Sequence, residues 1–370
     1  MPEHAQLARP GEGTLLWTPS DSTRTSSHIS RYLRWLTEHR ALEFTAYDDL
    51  WRWSVSDLEG FWSSIWDFFQ VAGPRPRRAL QEIRMPGADW FPGAAVNYAE
   101  HALRRRDGRF AVIAASETRP FTTLSYAELH RQVAAVAASL RRLGIRRGDR
   151  VVAYLPNIPE ALVAFLACAS LGAIWASCPP EFGARSVADR FRQIEPRLLF
   201  AVDGYRFKGR PHDRRPEVMQ LRAELPTVQH LVMVPYLGSG PPPSAGPGAT
   251  PWPDLLAGSP PLVFEPLPFA HPLWILYSSG TTGLPKAIVQ GHGGILLEHL
   301  KTLALHLDVG PEDRLFWYTT TGWMMWNFLI SGLLLGATVL MYDGHAAHPD
   351  IGCLWRFAAE TGMTYFGTSA

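Results

Sequence analysis

The chain has 370 residues, 46% of them apolar and 19% charged, with a formal charge of +1 at pH 7. That length buries one large core or several lobes, and the apolar-to-charged balance excludes a disordered chain. With 35 basic against 34 acidic side chains, no bulk field favours nucleic acid or an anionic membrane, so neither is expected as a partner.

Residues 1–30 are polar and irregular and are expected to form a loosely held arm without a hydrophobic signal region. Ser56-Asp-Leu-Glu59 has the spacing of a capping box, and Leu58, Phe61, Trp62, Ile65, Phe68 and Phe69 follow at helical spacing. That spacing predicts a helix pinned onto the main body. A second capping box, Ser125-Tyr-Ala-Glu128, opens a helix that should stop near Gly144. A strand at Val151–Leu155, a helix from Pro159, a strand near Ile174, a helix over 187–194 and a strand at Leu198–Val202 follow. This alternation predicts an α/β fold with parallel sheets covered by helices. Residues 237–270 are rich in Pro, Gly and Ser and are expected as a surface connection and subdomain boundary within an α/β domain spanning 101–370. The rhythm then resumes with strand Leu273–Tyr277, a helix from Gly294, strand Leu315–Thr319, a helix near 353–360 and a last strand at Thr364–Gly367.

Two uncharged runs, Ala161–Cys178 and Gly322–Tyr342, are long enough to cross a membrane. Each breaks at Leu-Gly-Ala before a short β-rich stretch. A buried helix, a glycine stop and a buried strand explain both. Cys168, Cys178 and Cys353 lack metal or redox spacing and sit in apolar runs, which predicts reduced, packed thiols and a cytoplasmic setting.

Tyr277-Ser-Ser-Gly-Thr-Thr-Gly-Leu-Pro-Lys286 follows a strand and holds four hydroxyls, two glycines and one of only three lysines. It is not a Walker A loop, because Pro285 precedes the lysine. Inward-turned amides, the hydroxyls of Ser278, Ser279, Thr281 and Thr282, the turns at Gly280 and Gly283, and the charge of Lys286 suit a polyphosphate. His292, between glycines, is read as satisfying a turn rather than reaching a ligand. No HExxH or Cys/His zinc pattern occurs, so no protein-held metal site is expected.

The ten-residue string resembles the phosphate-binding signature of the acyl-adenylate-forming (AMP-binding) superfamily. Arg147–Val151, Tyr154–Glu160 and Leu171-Gly-Ala173 are similar to that family's early α/β segment. Trp90–Asn97 with Tyr98–His101 resembles the amino-terminal region of its acetyl-CoA synthetase branch, which implies that residues 31–100 form that branch's helical amino-terminal region, and Gly291–Lys301 with Gly322–Asn327 resembles the acetoacetate-activating members. The resemblance implies ATP-dependent ligation of acetoacetate to coenzyme A through an acyl-adenylate, with Mg²⁺ carried by ATP. Acetate or propionate is the alternative substrate.

It further implies that Lys286 supplies catalytic charge and that Trp323, Met324 and Met325 line the acyl pocket. Phe182, Gly183 and Arg206 are implied to contact coenzyme A, with Lys208 and Arg210 as reserves. The acetyl-specific members carry Thr where Met325 stands, which argues against acetate. The chain stops after a strand that reads as buried, before the family's adenine, ribose and carboxy-terminal lid segments. It is therefore expected to be the amino-terminal part of such an enzyme, inactive alone, or else a non-catalytic remnant.

Overall fold

The computed structural model describes residue 11 and residues 13–238, 248–278 and 283–369. The larger of its two main sheets has seven strands in the order Ala249–Pro251, His230–Val234, Leu198–Val202, Arg150–Tyr154, Ile174–Cys178, Pro272–Ser278 and Lys286–Gly291. All neighbours are parallel except the last pair. The second sheet runs Tyr365–Gly367, Arg314–Trp317, Thr338–Asp343, Phe110–Ser116 and Thr122–Ser125, again with only its final pair antiparallel. Each sheet is thus a parallel core with one antiparallel edge strand.

Side chains alternate across a strand, so a sheet covered on both faces needs unbroken apolar runs. Leu198-Leu-Phe-Ala-Val202 meets that need with all five residues buried. Leu198, Phe200 and Val202 enter the main core, while Leu199 and Ala201 pack with Val187, Phe191 and Leu221 on the other face. The smaller sheet divides likewise, with Val339 and Met341 in the main core and Leu340 and Tyr342 beside Leu354 and Phe357.

Both membrane-length runs resolve as helix, left-handed glycine and strand. Ala161–Leu171 is buried throughout the Pro159–Leu171 helix, Gly172 turns at φ 71°, and the strand begins at Ile174. A side chain at Gly172 would sit 2.6 Å from Leu267 Cδ2, so glycine serves both the turn and the close approach. In the second run Met324–Ile330 is helical, Ser331–Leu335 tightens to a 3₁₀ turn, Gly336 turns at φ 78°, and Thr338 opens the strand. Among the described residues no helix is long and apolar enough to cross a membrane.

Several local expectations change. The helix expected from Ser56 begins at Leu58 and is capped by Asp57, whose carboxylate accepts from Gly60 N at 2.9 Å. Ser56 instead ends the Tyr47–Ser56 helix, and its hydroxyl donates to Arg52 O. Glu59 accepts from Ala79 N rather than closing a box. The second box fares better: Ser125 Oγ accepts from Glu128 N at 3.1 Å and the helix runs Tyr126–Arg142.

Helical order starts at Asp21, ahead of the expected end of the arm, and His28–Arg40 crosses residue 30. Within 237–270, residues 239–247 lie outside the described residues. Trp252, Leu255, Leu267 and Phe269 are buried, and the segment links two strands of one sheet. The last strand lies at a sheet edge with Phe366 partly exposed.

Candidate active site

Parallel strands deliver their carboxyl ends, and the loops that follow, to one side of a sheet, where ligands of α/β proteins bind. Here both sheets do so around one cleft of about 340 Å³. Pro156 and Asn157 come after the Arg150–Tyr154 strand, and Pro179, Glu181 and Phe182 after Ile174–Cys178. Tyr318, Thr319, Thr320 and Trp323 follow Arg314–Trp317, while Tyr342, Asp343 and Gly344 close Thr338–Asp343.

The Thr319–Thr321 segment is tied to both neighbouring strand ends. Thr321 Oγ1 donates to Leu155 O at 2.6 Å, and Ser177 Oγ donates to Thr321 O at 2.7 Å. Trp326 Nε1 donates to Asn157 Oδ1 at 3.0 Å, which fixes the amide in the cleft wall. Backbone at Gly322 passes so close to Pro179 that a side chain there would meet Pro179 Cδ at 2.6 Å.

Of the expected site residues, Phe182 and Trp323 both line this cleft, joined by Phe207, the neighbour of Arg206. Met324 is exposed and Met325 half-buried, and neither is in the lining. Trp323 precedes a helix that starts at Met324, and successive helical residues point about 100° apart, so three in a row cannot face one cavity. Gly183 precedes the Ala184–Phe191 helix and borders an open groove shared with Arg185, Ser186, Asp189 and Pro285. Gln193 Nε2 donates to Pro285 O at 2.9 Å, which anchors the end of the phosphate-like string beside that helix. Lys286 is exposed and pairs in register with Ser278 across the antiparallel edge. Ser279, Gly280, Thr281 and Thr282 lie outside the described residues, and Gly283 is exposed at φ 103°.

Arg206 stands on a two-stranded hairpin, Gly204–Phe207 with Arg210–Asp213, and its N–H donates to Thr118 Oγ1 at 3.0 Å. Arg214 and Arg215, just beyond, pair with Glu217 and Asp213. The side chains of Arg206, Lys208 and Arg210 meet no carboxylate among the described residues.

One wall group escaped the sequence reading. Asp343 is 6% exposed, and Tyr236 donates its hydroxyl to Asp343 Oδ2 at 2.8 Å. Burial pushes the Asp343 carboxyl up to about 7, further raised by Glu181 and Glu117, against the lowering of the Tyr236 bond and Arg119. Arg119 lies 4.5 Å over the Tyr236 ring and bonds Glu160 and Pro235 O, linking the two sheets. The available signal was position alone, a carboxylate closing a buried strand.

His292 lies away from the cleft. It is fully buried, its Nδ1 accepts from Tyr98 N at 3.1 Å, and burial lowers it to about 3. A buried neutral imidazole satisfying a backbone amide is a packing role. No cluster of three or more His, Cys, Asp or Glu able to hold a metal ion occurs among the described residues.

The AMP-binding enzyme family matches residues 99–369, and the acetyl-coenzyme A synthetase N-terminus family matches residues 47–102. Acetoacetyl-coenzyme A synthetase of Rhizobium meliloti is 42% identical over 362 residues, covering 96% of this chain and 55% of that protein. Acetoacetyl-CoA synthetase of Danio rerio is 40% identical over 372 residues, covering 97% and 55%. The solved acetoacetyl-CoA synthetase of Streptomyces lividans superposes with a TM-score of 0.91 at 53% identity, covering 95% of this chain and 55% of that one. The chain thus spans about half the length of the relatives it matches.

Proposed function

We propose, from the premise that this chain belongs to the AMP-binding enzyme family, that it supplies the phosphate-, acyl- and thiol-facing surfaces of an ATP-dependent acetoacetate–CoA ligase. Acetoacetate attacks the α-phosphorus of ATP, pyrophosphate leaves, and coenzyme A thiol displaces AMP from the acyl-adenylate. The observation that carries this reading is the cleft at the carboxyl ends of both sheets, lined by Phe182, Phe207 and Trp323, beside a groove that runs to Pro285.

The chemistry asks for such a surface. Carboxylate and triphosphate repel each other, and charge builds on the departing pyrophosphate, so fixed donors and a compact cation there lower the barrier. Lys286 and Ser278, opposite one another at the sheet edge, are suited to hold the phosphates together with the glycine and threonine residues of the string. Magnesium enters with those phosphates. Trp323 borders the acyl group, with Met324 and Met325 setting the helix start behind it, and Phe182, Gly183 and Arg206 face coenzyme A. The three cysteines are free and buried, which fits a reducing cytoplasm.

The test joins this chain to the remaining portion of the Streptomyces lividans protein and measures pyrophosphate release with acetoacetate, acetate and propionate. Acetoacetate is expected to lead, and Lys286→Ala is expected to slow release by ~10²–10³. Release with none of the three acids refutes the ligase reading. Unchanged release in Lys286→Ala refutes the role of the lysine.

A further inference from the structure

We propose that Glu117 is a positioning residue whose buried carboxylate sets the Lys208–Gly209 turn and thereby aims an anion-binding hairpin at the cleft. The inference rests on the coenzyme reading above and adds a residue that contacts no ligand itself. Glu117 follows the Phe110–Ser116 strand of the smaller sheet, and its side chain is only 5% exposed. It accepts three backbone N–H groups from two other segments. Lys208 N lies at 3.2 Å and Gly209 N at 2.7 Å, both in the hairpin turn, and His345 N lies at 2.7 Å, after the Thr338–Asp343 strand. The next residue, Thr118, accepts the N–H of Arg206.

The turn needs such a hold. Phe207 and Arg210 are paired, so Lys208 and Gly209 form a two-residue loop, at φ 52° and 72°. A lysine in the left-handed region is disfavoured, and its persistence calls for surroundings that over-determine it. Two consecutive amides converging on one carboxylate provide that constraint, with charge-assisted bonds. The carboxylate in turn needs bare backbone beside it. A side chain at Gly344, φ 150°, would lie 2.8 Å from Glu117 Cγ, and one at Gly209 would lie 3.1 Å from the His348 ring.

The consequence lies on the hairpin. Arg206, Lys208 and Arg210 place three cations with no carboxylate partner among the described residues within five positions; register puts Arg210 on the face of Phe207, which lines the cleft, Arg206 on the other face, and Lys208 in the turn between them. Glu117 bonds only the backbone of this segment, so it fixes geometry while leaving those cations available. A phosphate monoester such as the 3′-phosphate of a nucleotide is the chemistry that unpaired cations at a hairpin end take.

Charge and position predict opposite signs, which makes the idea testable. If Glu117 were only a nearby negative charge, removing it would strengthen anion binding. If it positions the turn, removing it weakens binding. Titration calorimetry of the 370-residue chain with adenosine 3′,5′-bisphosphate, and with AMP as the probe lacking the 3′-phosphate, separates them. Glu117→Ala is expected to weaken the bisphosphate about tenfold and AMP less than about twofold, with Glu117→Gln between. Thr118→Val, a gentler change that releases Arg206 N and removes a hydroxyl beside Tyr236, is expected to weaken the bisphosphate about two- to threefold. Amide exchange at Lys208 and Gly209 should quicken in Glu117→Gln. Bisphosphate binding that is unchanged or tighter in both Glu117→Gln and Thr118→Val overturns this inference alone. A wild-type chain that does not prefer the bisphosphate overturns the coenzyme reading beneath it.

Discussion

Replacing Asp343 by Asn exchanges a titrating group in the cleft wall for a neutral one of the same shape. The amide oxygen can still accept the Tyr236 hydroxyl, so packing and the 2.8 Å bond are kept. In the folded chain the proton is held to about 7, against an ordinary value of 3.8. Between those values the native state binds more protons than the unfolded one, so stability contributed by this group falls as pH rises and is lost on passing 7. At about 1.4 kcal/mol for each tenfold difference in proton affinity, the Asp343→Asn variant should gain roughly 2 kcal/mol at pH 5 and roughly 4 at pH 8. An unfolding entropy near 2 cal/mol/K per residue converts these to melting temperatures about 2 and 5 °C above wild type.

His292 and His299, lowered by burial to about 3 and about 4, push the other way, adding stability as pH rises towards 6.5. Both are present in either protein and cancel in the difference. The assay is thermal melting of wild type and Asp343→Asn from pH 5 to 8. A difference that stays flat, or shrinks with pH, refutes the assignment of Asp343 as a buried carboxyl that resists ionisation.

Two further outcomes are expected. Met325→Thr, in the full-length context, should change the carboxylate preference, because Thr stands at this position in the acetyl-specific members and Met325 follows Trp323 at the helix start; an unchanged ranking in a competition assay counts against Met325 as a specificity residue. Ser125→Ala removes the oxygen that accepts from Glu128 N and should cost about 1 kcal/mol, a melting temperature roughly 1 °C lower, with ligand affinities unaltered.

How far the fold could be read from the residues depended on where each strand lies. Leu198–Val202 was legible because both its faces are covered, which forces a continuous apolar run. Lys286–Gly291 was not read as a strand, although it forms the antiparallel edge that displays Lys286. Its Ile288 and Val289 are 46% and 56% exposed, so no burial pattern marks it, and the neighbouring phosphate-like string drew the reading to a loop. Ser56 misled for a related reason: capping spacing is local, and Ser56 was already committed to the preceding helix.

The site divides along the same line between local and distant information. Phe182, Arg206, Lys286 and Trp323 stand in short strings whose order carries the resemblance. Glu117 and Asp343 stand in no string. Glu117 draws its meaning from amides 91, 92 and 228 positions away, and Asp343 from a hydroxyl 107 positions away. Yet both obey one rule that needs no partner to be seen. Each is the first carboxylate at or beyond the carboxyl end of a parallel strand in the smaller sheet, Glu117 after Ser116 and Asp343 closing its own strand. Two apolar strands that run parallel must release their polar ends on the same side. A carboxylate placed there is brought to the cleft end of the sheet by topology before any side-chain contact is known, Asp343 in the cleft wall and Glu117 near it, with Ser116 opposite Asp343 in register. The polar residues that end parallel strands, taken as a set, are therefore the part of an α/β site that chain order already exposes, and motif strings only supply the rest.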